Sequence, residues 1–368
     1  FATPMLSPAT SATTSGRTSS DSDEILLNSL SKPPVSRQYK PLAVLSGHDG
    51  AITCLALCGE FILSASRGDD IIVWQQPDLR QFARFGRGDG AVKSVVSYGD
   101  RVFTAHQDSR IRVWRVTANS QNVFKLVNTL PTAKDYLGKF LNQSNYVQSR
   151  RHHKHLWIEH SDSISCLEVS NEVIYSGSWD KTLKVWRLSD FKCLESINAH
   201  DDAINCLASR NGILYSASAD GKLKAWKKRD KTHELRGTLS SRGESIALNS
   251  VVVSHDGRLI YAGCSDGSVI CWNSNKEFDS WEVICEIKAH PTSVLCMCLE
   301  GKFLCCGSAD KTISVWKIGD SKELSRYVVI DGHEGPVKCL QSSSWLRAVG
   351  GFMVYSGSID KSLRVWWI

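Results

Sequence analysis

Residues 160–200 read HSDSISCLEVSNEVIYSGSWDKTLKVWRLSDFKCLESINAH, and this stretch decides the fold. Ser163–Val169 alternates apolar and polar residues, as a half-buried strand does. Ser170, Asn171 and Glu172 form a turn signal, Val173–Gly177 a second strand, and Ser178–Lys181 another turn. Thr182–Leu188 is a third strand around Trp186. After Ser189 and Asp190, Cys193–Ile197 is a fourth. The β-branched and aromatic content favours strands over helices. One such unit buries too little surface to stand alone, so it needs neighbours.

The chain supplies them. A Trp closing an apolar alternating run recurs at Trp74, Trp114, Trp186, Trp226, Trp272, Trp316 and Trp366, with spacings of 40, 72, 40, 46, 44 and 50 residues. The 72 is one repeat plus an insertion. A period of about 40–45 residues matches four strands per propeller blade. We therefore expect an all-β, seven-bladed β-propeller over residues 41–368, with blades numbered by their Trp. Pro41–Ser46 precedes the first full repeat, and the chain stops at Leu363–Ile368, a third strand. Leu42–Leu45 is thus expected to complete the last blade and remove two open sheet edges.

Polar residues recur at fixed offsets from each Trp. A Ser or Thr lies ten positions before it (Ser64, Thr104, Ser176, Ser216, Ser356). An Asp lies six before it (Asp108, Asp180, Asp220, Asp266, Asp310, Asp360). A His precedes the first strand (His48, His160, His200, His290, His333). With Gly47–His48 and Gly332–His333, this pattern resembles the WD-repeat family over roughly residues 41–368. The resemblance implies a buried Trp–Ser/Thr–His–Asp tetrad in each complete blade. An indole N–H only donates, a hydroxyl does both, and His bridges to a carboxylate. Blade 3 (His160, Ser176, Asp180, Trp186), blade 4 (His200, Ser216, Asp220, Trp226) and blade 7 (His333, Ser356, Asp360, Trp366) carry the full set. Blade 1 has Gly68 at the Asp offset, with Asp69 one residue late. Blade 2 lacks the His, blade 5 lacks it and has Ala262 for Ser, and blade 6 has Cys306 for Ser. Those four are expected to rely on packing more than on polar networks.

Residues 1–40 are rich in Ser, Thr and Pro, a composition expected to stay solvated and open to phosphorylation. The insertion, residues 117–155, is expected between the third and fourth strands of blade 2, with Leu156–Glu159 as the fourth. In it Thr132 is placed to cap a short helix after Pro131, with Tyr136, Leu137, Phe140 and Leu141 on one face. The strings Leu130–Asp135, Arg151–His152 and Leu156–His160 are similar to plant WD-repeat proteins of the Jingubang type. That resemblance implies a plant regulatory protein that restrains pollen germination.

Composition narrows the function. The 42% hydrophobic content suffices for a large core. The net charge of +6 comes from 44 basic against 38 acidic residues, which makes no case for nucleic acid. The 13 Cys are odd in number, and Cys54, Cys166, Cys206, Cys296 and Cys339 sit in apolar runs. With no apolar signal segment in residues 1–40, we expect free thiols and an intracellular, cytoplasmic or nuclear setting. The opening Phe1, in place of Met, leads us to expect a missing N-terminus. No run of 18 apolar residues suggests a membrane span.

Chemical candidates fall away in turn. His152, His153, His155 and His160 lack the spacing of a structural zinc site, and His160 already belongs to a tetrad. Cys296 and Cys298 should share one strand face, while Cys305 and Cys306 point to opposite faces, so no metal is expected. Ser, His and Asp recur beside a buried Trp, unlike a hydrolase triad with its exposed nucleophile. No phosphate-cradling Gly loop is present. We expect no enzyme and no cofactor.

The resemblance implies a protein-binding face bearing the Gly-His and Asp loops. Positions before each Asp, or beside the first strand's apolar anchor, point there: Arg67, Gln107, Trp179, Ile359, Lys93, Asn205, Leu295 and Lys338. Trp179 is the sharpest candidate, since Trp and Arg dominate interface hot spots. Trp345, in the Ser342–Gly351 loop, and the insertion suggest a second docking surface on the opposite face. The leading expectation is a monomeric adaptor for other proteins. One alternative is a ubiquitin-ligase substrate receptor, although residues 1–40 are too short for an F-box and no blade-ending Trp precedes Asp. The other is an RNA-binding propeller using the basic run Arg150–His155, without aromatic interleaving for base stacking.

Overall fold

The computed structural model describes residues 39–68, 70–86, 88, 90–117, 123–139, 142–150, 153–240, 246–275, 280–344 and 351–368. Residues 1–38 of the Ser/Thr-rich segment, Asp69, Phe140, Leu141, Arg151, His152 and Trp345 lie outside the described residues, as do the side chains of Arg150 and His153.

Residues Tyr39–Ile368 form one compact unit of seven four-stranded antiparallel sheets. The strands of blade 3 are Ile164–Ser170, Val173–Ser178, Thr182–Arg187 and Cys193–Asn198, within a residue or two of the sequence reading. The inner strands are Ile52–Cys58, Val92–Tyr98, Ile164–Ser170, Ile204–Arg210, Leu248–Val253, Val294–Glu300 and Val337–Ser343. They pack side by side in that order, and Val337–Ser343 returns to Ile52–Cys58 to close the ring. At this closure a Cβ on Gly357 would lie 2.6 Å from both Cys339 Sγ and Ile52 Cγ2, so glycine lets the last blade approach the first without either side chain giving way. Lys40–Leu45 pairs antiparallel with Leu363–Trp367, joining Leu45 to Leu363 and Lys40 to Trp367, and supplies the outer strand of blade 7.

The core lies between blades. Each Trp sits at a β-bulge between third and outer strands, as at Val185/Trp186, which twists the outer strand and turns the indole inward. Trp186 joins Phe103, Ile111, Leu130, Ile158 and Ile174, so one cluster spans blades 2 and 3. Cys296, Cys298 and Cys305 enter one cluster and Cys306 enters its neighbour, as strand alternation requires.

The insertion is not where the sequence reading put it. The outer strand of blade 2 is Phe124–Leu130, paired with Ile111–Val116 in register Ile111↔Leu130. Only its ends, Phe124 and Leu130, are buried. An outer strand faces solvent along most of its length, so its apolar pattern is weak and it reads as loop. Leu156–Glu159 instead ends a hairpin, Tyr146–Arg150 against His153–Leu156, and turns into blade 3. The inserted residues therefore follow a completed blade.

They open with a helix, α1 (Ala133–Lys139). Thr132 Oγ1 accepts the Asp135 N–H (3.3 Å), while Asp135 Oδ2 accepts the Thr132 N–H (2.9 Å) and hydroxyl (2.7 Å). This reciprocal cap satisfies donors that the helix end leaves free. The Tyr136 hydroxyl donates to Glu159 at 2.5 Å, and the ring packs on the core between blades 2 and 3. Leu137, expected beside it, is instead 80% exposed. Neighbours in a helix point about 100° apart, so the two cannot share a narrow buried face.

Candidate functional site at the channel mouth

The tetrads hold the loops that form the mouth. In blade 3 the Trp186 indole donates to Ser176 Oγ (2.9 Å), His160 Nε2 meets the same hydroxyl (2.8 Å), and His160 Nδ1 meets Asp180 (2.9 Å). A carboxylate only accepts, so Nδ1 donates, leaving Nε2 to accept the Ser hydroxyl. Blade 4 repeats this at 2.9, 2.7 and 2.9 Å, and blade 7 at 2.8, 2.7 and 2.8 Å. Burial pushes His160, His200 and His333 down from their ordinary pKa, favouring neutral rings. Burial opposes ionisation of Asp360, but hydrogen bonds from Ser362 and His333 outweigh it and hold the carboxyl at about 2.

Three of the blades expected to rely on packing more than on polar networks carry a network as well. In blade 1, His48 reaches Ser64 (2.7 Å), which accepts the Trp74 indole (2.8 Å), and Asp70 is the acid (3.1 Å). Asp70 lies four residues before its Trp, where blades 3, 6 and 7 carry Thr182, Thr312 and Ser362. Those hydroxyls bind the usual Asp, so a carboxylate at that position meets the same His directly. In blade 6, Ser314 replaces Cys306: it accepts the Trp316 indole (2.8 Å) and meets His290 Nε2 (2.8 Å), while His290 Nδ1 meets Asp310 (2.8 Å). In blade 2 the His comes from the second strand. His106 Nε2 lies 2.7 Å from Thr104 Oγ1, which accepts the Trp114 indole (2.9 Å), and His106 Nδ1 lies 3.0 Å from the Gly90 carbonyl. Blade 5 relies on packing: Trp272 is buried with Ala262, Cys264 and Ile270, and Ile246 packs against them.

This frame repeats one geometry at every loop. The backbone N–H of the residue at each mouth loop donates to the carbonyl that starts its inner strand: Arg67 to Ala51, Gln107 to Ala91, Trp179 to Ser163, and Ile359 to Pro336. Ala219, Ser265 and Ala309 occupy the same place in blades 4, 5 and 6. A second ring comes from the inner strands. Thr53 donates to the Val92 carbonyl (2.7 Å), Ser165 to Ile204, Asn205 to Leu248 (2.9 Å) and Asn249 to Val294 (2.9 Å), each stapling its blade to the next. Blades 2, 6 and 7 carry Lys93, Leu295 and Lys338 at this register.

A channel of about 530 Å³ opens here, and Arg67, Lys93, Trp179, Asn205, Leu295, Lys338 and Ile359 all line it. Gln107 is exposed and does not. The Asn205 amide is committed to its staple. Trp179 and Ile359 are 45% and 46% exposed, large apolar groups held out at the rim. The Lys93 ammonium lies 5.2 Å from the Trp179 ring centroid. The stapling role of Asn205 escapes sequence reading, because it depends on a carbonyl 43 residues away.

The family model for the WD domain, G-beta repeat, matches residues 39–75, 152–187, 191–227, 233–273, 281–317 and 324–366, more than half of the chain. The chain belongs to the WD-repeat family. Blade 2 lies outside the matched stretches, although its four strands are complete. Among curated relatives, zinc finger CCCH domain-containing protein 62 of Arabidopsis thaliana is 26% identical over 154 residues, 41% of this chain and 35% of that protein. Nuclear distribution protein PAC1 of Candida albicans is 33% identical over 112 residues, 29% of this chain and 21% of that protein. The match thus spans about a third or less of either relative. Among solved structures, the computationally designed Ika8 protein aligns with a TM-score of 0.63 at 21% identity, covering 89% of this chain and all of that one, a likeness of fold. WD-repeat propellers generally serve as platforms for protein interaction, and no helix among the described residues is long and apolar enough to cross a membrane.

Proposed function

We propose that this protein is a non-catalytic adaptor that holds other proteins at the channel mouth. The observation that carries this reading is the pair of exposed apolar side chains, Trp179 and Ile359, fixed at one rim with Arg67, Lys93 and Lys338. Exposed Trp on a rigid loop, flanked by cations, has the composition of an interface hot spot. The Ser, His and Asp side chains of the tetrads are spent on structure beneath it. The likeness to Jingubang-type plant proteins supports a place in a plant regulatory pathway that restrains pollen germination. The many free, mostly buried thiols support an intracellular setting.

A photoreactive amino acid placed at Ile359, and separately at Val329 on the outer strand of blade 6, tests the reading in cell extract. Capture of a protein from position 359 alone is expected. Capture from 329 alone would overturn it.

A further inference from the structure

The mouth is not uniform around its ring. At the loop register the residues run Arg67, Gln107, Trp179, Ala219, Ser265, Ala309 and Ile359. At the inner-strand register they run Thr53, Lys93, Ser165, Asn205, Asn249, Leu295 and Lys338. The cations fall in one sector, blades 7, 1 and 2, bounded by Ile359 on one side and Trp179 on the other. The opposite sector is neutral, with Asn205 and Asn249 turned into staples.

Arg67, Lys93 and Lys338 line one channel, and the charges acting on Lys93 include those of the other two. Glu168, the carboxylate that also lines it, accepts from the Ser209 hydroxyl at 2.7 Å. Burial first, and then those two neighbours, lower the Lys93 pKa. Mutual repulsion of desolvated like charges is unfavourable, and a bound anion relieves it. A staple-forming side chain at Lys93 or Lys338 would tie its blade to the next, as in four other blades. The chain instead places ammonium groups there.

We propose that this sector docks a partner protein through a phosphoserine or phosphothreonine, with an apolar residue of the same segment against Trp179 or Ile359. This deepens the adaptor reading and rests on it. A phosphomonoester carries nearly two negative charges and three acceptor oxygens, enough to meet an Arg fork and two ammonium groups together. The apolar flanks add an amphipathic requirement that free phosphate does not meet. Stacked nucleobases fit less well, because Trp179 is the one aromatic side chain among the described residues that line the channel, and a run of bases needs several.

The test uses the full chain and fluorescent nonapeptide libraries with a central phosphoserine, serine or glutamate and fixed Leu or Ile two residues away. The phosphoserine library should bind about tenfold or more tightly than the serine library, the scale of one charge-assisted hydrogen bond. The gap should vanish in Lys93→Met/Lys338→Met protein that melts like wild type, and Arg67→Met should narrow it. Inorganic phosphate should compete only weakly. Equal binding of phosphoserine and serine libraries, equal binding of the glutamate library, or a phosphate preference that survives the double substitution would overturn the proposal. So would retention of single-stranded RNA, lost in the double variant, without peptide binding. If phosphatase treatment leaves the partner captured at Ile359 bound, the adaptor reading stands and the phosphate proposal falls. If the libraries bind by charge while no protein is captured at Ile359, the reverse holds.

Discussion

Ser314 Oγ lies 2.8 Å from His290 Nε2, although Ser314 stands only two residues before its Trp rather than ten. It pairs directly across the ladder with Cys306, which holds the usual hydroxyl position. Directly opposed residues bring their Cβ atoms within about 5 Å, so a hydroxyl on either strand reaches the same point. Ser314→Ala should therefore destabilise the protein by about 1–3 kcal/mol, leaving the Trp316 indole and His290 short of a partner. Cys306→Ala should cost less, since its thiol is not the hub. Urea unfolding of both variants measures the difference, and equal losses would count against this assignment.

Asp70 makes a parallel case in blade 1. It accepts from His48 and from the Ser66 hydroxyl (2.7 Å), and pairs with Arg84 at 3.2 Å. Removing one member of a buried charged set is worse than never having had it. Asp70→Ala should lower stability by about 3 kcal/mol or more, read in the same unfolding experiment. A loss within about 0.5 kcal/mol, typical of an unremarkable surface site, would contradict the role.

These two residues show where sequence reading stops. The Trp spacing, the strands of blade 3 and the tetrads of blades 3, 4 and 7 are legible because period and offset are local properties. Asp70, Ser314 and His106 break the offset while keeping the geometry, since a tetrad needs atoms in place and not residues in register. A signal was present at Ser314, where blades 2, 3, 4 and 7 carry Arg112, Lys184, Lys224 and Arg364. The outer strand Phe124–Leu130 was hidden for another reason, its double exposure to solvent. Arg67, Trp179 and Ile359 line the channel because they follow from the loop beside an Asp. Lys93, Asn205, Leu295 and Lys338 line it because they follow from the inner-strand register, whereas Gln107, read from the same loop position as Arg67, stays outside it. Asn205 differs, because its partner lies on the next blade.

Acid should unfold the propeller in two stages. The tetrad His48, His160, His200 and His333 have folded pKa values below the ordinary 6.5. The unfolded chain then binds protons more readily, so stability is complete above pH 6.5 and falls as pH drops below it. Asp360 has the same sign: its contribution is present above its ordinary 3.8 and is lost as pH falls towards about 2. Melting temperature should decline below pH 6.5 and again below pH 3.8, without gain between pH 7 and 6. A melting temperature that rises on acidification from pH 7 to 5 would reverse the assigned sign.

Deleting residues 41–46 strips the outer strand from blade 7 and bares the hydrogen-bonding edge of Leu363–Trp367. Exposed edges template aggregation. The deleted protein should partition into the insoluble fraction. A soluble monomer with wild-type melting would show that this strand is dispensable.

We propose Trp179 as the anchor of the working surface. Proteins that co-purify with wild type should be compared with those that co-purify with Trp179→Ala, after thermal melting shows equal folding. We expect a specific partner to be lost from the folded variant, which would place binding at the channel mouth. An unchanged set of partners would contradict the account and leave Trp179 as a packing residue over Lys93.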